Sequence, residues 1–229
     1  MMRLGILNRL CRSAVFCSDW TVRDGVTTTM LTLVRNHHVP SDRFKDYGIP
    51  NASWNPDMMA LYRRYMAWTE DGSWKRLPSY NRALRQDRDP ESPNRLFTRN
   101  TDVEGSCFEY AMFLNASERR ILCIFQPGPL LEGPPCHTHG GAIFTLLDGV
   151  AGTCAYATMG PVLTANVNVN FQSPVPLGST VLIEARIERV VDRKIFMSCL
   201  ITSGISPKVH VDGSMLFIKC LGSGPANGK

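Results

Sequence analysis

Two features of the chain carry residue types suited to acyl chemistry: the run His139-Gly140-Gly141, and a carboxylate at Asp148. Glycine disfavours a helix interior by about 1 kcal/mol per residue, so a glycine pair at a helix start marks backbone that something must approach closely. The first N–H groups of a helix have no intrahelical acceptor and carry partial positive charge, which suits a carbonyl oxygen becoming an oxyanion. On this reading the amides of Gly140 and Gly141 are open donors, and His139 stands at the entrance to bond a carbonyl or a water. The plainer alternative is a Gly-Gly bend beside a satisfied histidine. Asp148 lies within Ile143-Phe144-Thr145-Leu146-Leu147-Asp148-Gly149-Val150, where an unpartnered buried carboxylate would be costly. A base that draws a proton from an attacking water accounts for it. A carboxylate held merely by a Ser or Thr of a neighbouring strand is the competing account.

Spacing adds a constraint. From Gly141 to Asp148 a helix rises about 10 Å, so one helix cannot easily bring both to one reacting group. If both act together, Asp148 comes from a second copy whose helix runs antiparallel, and the two-fold axis creates two equal sites. This chemistry therefore requires a homodimer. Two weaker features lie downstream. In Thr164-Ala165-Asn166-Val167-Asn168-Val169-Asn170-Phe171, a period of two places Thr164, Asn166, Asn168 and Asn170 on one face, fit to orient water or the amides of a ligand arm, unless that face is merely solvated. Arg193-Lys194, at a turn, suits a phosphate contact.

The elements that must position these groups follow from periodicity. Trp54, Met58, Leu61, Tyr62, Tyr65 and Met66 recur at helical steps, and Asn55-Pro56 supplies an N-cap and a first-turn proline, which predicts a helix over about Pro56–Trp68. The Pro-, Arg-, Asp- and Ser-rich stretch 71–94 reads as an extended surface connection. Phe108–Leu114 and Arg120–Phe125 predict a hairpin turning at Asn115–Glu118. A helix buried nearly all round follows His139. Strands over Leu163–Phe171, Thr180–Val190, Lys194–Thr202 and Val209–Cys220, joined by short turns, predict an antiparallel meander. One long apolar helix and one sheet bury each other when the sheet wraps the helix. The expected class is α+β: a hotdog fold, with a curved antiparallel sheet around one central helix and an N-terminal helical extension. The expected divisions are a leader and linker over 1–45, the extension over 46–95, and the hotdog domain over 96–222.

Composition narrows the partners. With 25 Lys+Arg against 20 Asp+Glu the chain is mildly basic, which does not call for nucleic acid. Its eight cysteines include no CxxC and read as reduced thiols. Cys136-His137-Thr138-His139 lacks a second ligand pair, so no metal is expected. No run of about 18 apolar residues predicts a membrane-crossing helix. The start MMRLGILNRLCRSAVFCS holds three arginines and no acid, the composition of a mitochondrial presequence.

From Leu131-Glu132-Gly133-Pro134-Pro135 through His139-Gly140-Gly141-Ala142 and Asp148 to Thr164–Asn170, the chain closely resembles the acyl-coenzyme A thioesterases known as thioesterase superfamily members four and five. Asn51-Ala52-Ser53-Trp54 and Gly72–Tyr80 extend the resemblance, which runs from about Lys45 to Lys219. It implies a mitochondrial hotdog dimer, or a dimer of dimers, with the cytosol as a second location, hydrolysing medium- to long-chain fatty acyl-coenzyme A, with no cofactor beyond the coenzyme A of the substrate. It implies that Asp148 is base or nucleophile, that His139 with the glycine amides polarises the carbonyl, and that Thr164 positions water. Asn170, Gln172, Leu182, Arg193 and Lys194 fall where such relatives contact coenzyme A. Gln172 stands where a Lys is usual in one relative, and Cys136-His137 replaces a Gly and a bulky apolar residue. Member four is also described as a partner of the kinase Akt, so an interaction protein is the alternative implied. A hotdog dehydratase, which needs a 3-hydroxyacyl substrate, is a third reading.

Overall fold

The computed structural model describes residues 46–79, 97–99 and 101–220. The expected leader over 1–45 and the part of the expected surface connection from residue 80 to residue 94 lie outside these. Helix α1 (Pro56–Ala67) begins as its sequence predicts: Asn55 Oδ1 accepts the Met58 N–H at 2.8 Å, and Pro56 takes the first turn. Strand β1 (Lys75–Leu77) follows, inside the stretch read as an irregular connection. It forms because Trp74 is buried against α1 and because β2 offers an unpaired edge. The hairpin β2 (Phe108–Asn115) and β3 (Arg120–Pro127) turns where expected. Helix α2 (Gly140–Met159) and strands β4 (Val162–Phe171), β5 (Val181–Val191), β6 (Lys194–Ser203) and β7 (Val209–Lys219) complete the described elements.

The seven strands form one antiparallel sheet in the order β1-β2-β3-β5-β6-β7-β4. The expected four-strand meander is therefore corrected: β5, β6 and β7 are consecutive neighbours, but β4 lies at the far edge beside β7. The stretch from Gln172 to Thr180 is not a tight turn. It is a strap that leaves β4 at one edge, crosses the sheet end beside the start of α2, and delivers the chain to β5 next to β3. Along it the Val175 carbonyl accepts from Thr138 N–H, Leu177 N–H donates to the Cys136 carbonyl, and Gly178 N–H donates to the Pro127 carbonyl.

Helix α2 packs into the sheet and touches β3, β4, β5, β6 and β7, the hotdog arrangement. Ile143, Leu146, Leu147, Val150, Ala151, Cys154 and Ala155 form its buried face against Phe125, Ile183, Met197, Val211 and Phe217. The expectation of a helix buried nearly all round is corrected: Phe144, Gly149 and Ala157 are exposed and Asp148 is half-buried. By length and composition α2 also meets the requirement for a membrane span, against the expectation that no segment would. The sheet packed against its inner face accounts for that apolarity.

The sheet's other face is covered over β2, β3 and β5 by α1. Trp54, Met58, Leu61, Tyr65 and Trp74 pack there on Phe113, Leu122 and Ile124. Buried Glu109 fixes this extension: its carboxylate accepts from Trp54 Nε1 (2.9 Å), Asn51 Nδ2 (3.0 Å) and Gly105 N–H (2.8 Å), so the cost of burying it is offset by three donors.

Candidate active site

His139 is the N-cap of α2. Its Nδ1 accepts the Gly141 N–H at 2.9 Å, which corrects the expectation that both glycine amides are open. A ring nitrogen that accepts carries no proton, so the neutral imidazole bears its hydrogen on Nε2 and presents a donor outward from an exposed side chain. The Gly140 N–H has no acceptor among the described residues. Two donors are thus left without a partner at the helix start, Gly140 N–H and His139 Nε2–H, among the described residues.

The ring is held from two sides. A Cβ on Gly141 would fall 2.9 Å from His139 Nδ1, and one on Gly133 would fall 2.8 Å from His139 Cα. His139 N–H donates to the Leu131 carbonyl at 2.7 Å, and Gly133 N–H to the His137 carbonyl at 2.9 Å, which closes the loop on itself. Glu132 caps this loop by accepting the Cys136 N–H at 2.7 Å; Cys136 itself sits in the left-handed region at φ 63. The contribution of Gly133 was missed in the sequence, where nothing but its closeness to the histidine motif marks it.

Asp148 Oδ1 accepts from Thr164 Oγ1 at 3.0 Å. Alternation had assigned Thr164 to the face of Asn166, Asn168 and Asn170. A bulge between Thr164 and Asn166 reverses this: Thr164 pairs with Phe217 and shares the helix-facing side with Val167, which pairs with Met215. The extra residue, Ala165, turns Thr164 toward the helix. Cys199 lies close enough to Asp148 for the carboxylate to add to the rise of its thiol pKa to about 12, a rise caused chiefly by burial.

The remaining expected site residues are dispersed. Asn170 and Gln172 reach Asp212: Asn170 Nδ2 donates to Oδ2 at 3.1 Å and Gln172 Nε2 to Oδ1. Those two bonds, Asn170's the larger, hold the half-buried Asp212 carboxyl below the usual aspartate range. Leu182 packs against the cluster under α1, on the sheet face away from α2. Arg193 and Lys194 are exposed at the β5–β6 turn, where Arg193 Nε donates to the Lys219 carbonyl at 3.1 Å. That corner adjoins the start of β4, whereas Gly140 adjoins its end at Phe171, about 30 Å away at strand rise. One chain brings Thr164 to Asp148, and brings His139 to Gly140 and Gly141, but does not unite these pairs with each other or with Arg193 and Lys194. Among the described residues no three His, Cys, Asp or Glu side chains gather as metal ligands.

Residues 137–209 match the family model described as Thioesterase superfamily. The chain is 46% identical over 179 residues to the acyl-coenzyme A thioesterase THEM4 of Xenopus laevis, with 76% of this chain and 81% of that protein covered. It is 42% identical over 190 residues to THEM4 of Rattus norvegicus, covering 76% and 82%. To the acyl-coenzyme A thioesterase THEM5 of Homo sapiens it is 32% identical over 186 residues, covering 76% and 75%.

Proposed function

Because this chain belongs to the family of the acyl-coenzyme A thioesterases THEM4 and THEM5, we propose that it hydrolyses medium- to long-chain fatty acyl-coenzyme A to the free acid and coenzyme A, as a homodimer whose two sites each take residues from both copies. The observation that carries the reading is the Thr164–Asp148 bond on the open face of α2, two helical turns from a pair of outward donors at the helix start. A carboxylate with one oxygen held by a hydroxyl keeps its other lone pairs for a water. That water attacks the thioester carbonyl and gives its proton to Asp148. The developing oxyanion takes hydrogen bonds from Gly140 N–H and His139 Nε2–H of the partner subunit, a stronger match to the transition state than to the ground state. Collapse of the tetrahedral intermediate breaks the carbon–sulfur bond, and the leaving coenzyme A thiolate takes up the proton held by Asp148, which restores the carboxylate.

In such a dimer the exposed Arg193 and Lys194 suit the coenzyme A phosphates. Asn170 and Gln172 keep their amide oxygens free beside Asp212, which suits the neutral amides of the pantetheine arm better than a phosphate. Steady-state hydrolysis of saturated acyl-coenzyme A thioesters across chain lengths tests the reading. Asp148→Asn is expected to lower kcat by about a hundredfold or more, Thr164→Ala by less, and the preference to lie among medium and long chains. An Asp148→Asn enzyme at wild-type rate would end the mechanism.

A further inference from the structure

We propose that His210 is a positioning residue for the hydrolysis above, acting on His139 through the strap Gln172–Thr180. The proposal rests on the thioesterase reading for its kinetic consequence, but not for its structural one. His210 is 3% exposed and lies in β7 at a bulge, where the register jumps between Ile201, paired with Val211, and Thr202, paired with Val209. Its ring bridges two serines: Nδ1 lies 3.0 Å from Ser173 Oγ, and Nε2 lies 3.0 Å from Ser203 Oγ. Ser173 Oγ donates its own proton to the Val209 carbonyl at 2.9 Å. It must therefore accept from His210, which puts an imidazole proton on Nδ1.

Each link from this ring to the site is a hydrogen bond or a short run of chain. The His210 carbonyl accepts the N–H groups of both Gln172 and Ser173, at 2.9 and 3.2 Å, so side chain and backbone of one residue grip the start of the strap. Two residues on, the Val175 carbonyl takes Thr138 N–H at 2.8 Å, and Leu177 N–H reaches the Cys136 carbonyl at 3.0 Å. Thr138 directly precedes His139. The far end of the strap is held independently, by Asn55 through Thr180 Oγ1 and the Gly178 carbonyl, each at 2.8 Å.

An apolar side chain would fill this buried space without the cost of desolvating an imidazole. What it would not supply is a directed bond that fixes Ser173 Oγ, and hence the height of the strap over the loop of His139. Misplacement of a catalytic group by about 1 Å costs up to a hundredfold in rate.

The two arms of the ring can be separated. An asparagine amide overlays Nδ1 and reaches Ser173, whereas a glutamine amide overlays Nε2 and reaches Ser203. His210→Asn is expected to keep kcat within about threefold of wild type, and His210→Gln to lose about tenfold or more. Ser173→Ala should match His210→Gln, Ser203→Ala should leave kcat unchanged, and Ser173→Ala combined with His210→Gln should be no slower than either alone, as expected of one pathway. The two serine variants decide the matter even where a His210 variant fails to fold. Amide exchange at Gly141, whose N–H is bonded to His139, should speed up in the variants that lose rate. Equal kcat for His210→Asn and His210→Gln, or wild-type kcat and Gly141 exchange in Ser173→Ala, overturns the proposal. A wild-type protein with no hydrolytic activity would sink the functional reading alone, because Gly141 exchange still reports on the strap.

Discussion

His139 is constrained by the absence of side chains around it as much as by its bonds. An alanine methyl at position 141 meets the ring at Nδ1, the atom that accepts the Gly141 N–H, so the ring must turn off its cap and its Nε2–H must leave the direction in which it points. At position 133 the methyl meets backbone, His139 Cα at 2.8 Å, and the loop itself must shift. Both substitutions are expected to lower kcat by about tenfold or more, on the scale of a misaligned oxyanion donor. In each, the ¹⁵N resonance of His139 Nδ1 should move away from that of a hydrogen-bonded acceptor. Wild-type kcat in Gly141→Ala would exclude the capped ring from the reaction. The glycine pair could be read from sequence as a helix start awaiting a close approach, and Asp148 as a carboxylate needing a reason. That the second glycine makes room for the neighbouring imidazole could not be read, because the contact depends on a rotamer. Gly133 was equally hidden, since its nearness to His139 is created by the closed loop between them. Thr164 was placed on the wrong face for a related reason: alternation assumes an unbroken pleat, and the bulge at Ala165 breaks it.

At the scale of elements, α1 does more than cover the sheet. Its N-cap residue makes four bonds besides the first helical one from Met59 N–H to its carbonyl: Asn55 Oδ1 accepts from Met58 N–H and Thr180 Oγ1, Nδ2 donates to the Gly178 carbonyl, and the backbone N–H donates to Gln126 Oε1. Removing the side chain strips the cap and leaves Thr180, a buried hydroxyl, without its acceptor. Asn55→Ala is expected to destabilise the protein by about 1–3 kcal/mol, read as a lower urea midpoint at unchanged m-value. A loss below about 0.5 kcal/mol would mean that the link between α1 and the strap has no energetic weight. The start and length of α1 were legible because capping chemistry and helical period agree over one short segment. The hairpin was legible because its strands are neighbours both in sequence and in space. Strand order was not, because a connection's length does not say where it lands: Gln172–Thr180 reads equally well as a loose hairpin or as the crossing it makes. Strand β1 escaped notice because its partner, β2, lies beyond a long polar stretch.

At the scale of the whole molecule, the β4 edge and the open face of α2 leave large apolar side chains exposed. Phe144 on α2 is 40% exposed, while Leu163 and Phe171 on β4 are 68% and 54% exposed. Among the described residues β4 pairs with β7 alone, so its outer edge offers a row of unpaired backbone groups, a surface that proteins seldom leave bare. Gly141 and Asp148 are seven positions apart, within about 20° of the same helix face and about 10 Å apart along it. A two-fold axis that sets two α2 helices antiparallel across this face brings each Asp148 opposite the other copy's helix start, and extends the sheet through β4. This geometry predicts complementation. On the proposed mechanism His139→Ala and Asp148→Asn are each expected to lose most activity alone, because every site would then lack a donor or a base. Unfolded together in equal amounts and refolded, they should form mixed dimers in about half of the population, each with one site built from two unaltered halves. About a quarter of wild-type activity should return, as two-fold symmetry with random pairing requires. If Asp148 instead served the His139 of its own chain, every site in the mixture would carry one defect and the refolded mixture would stay inactive.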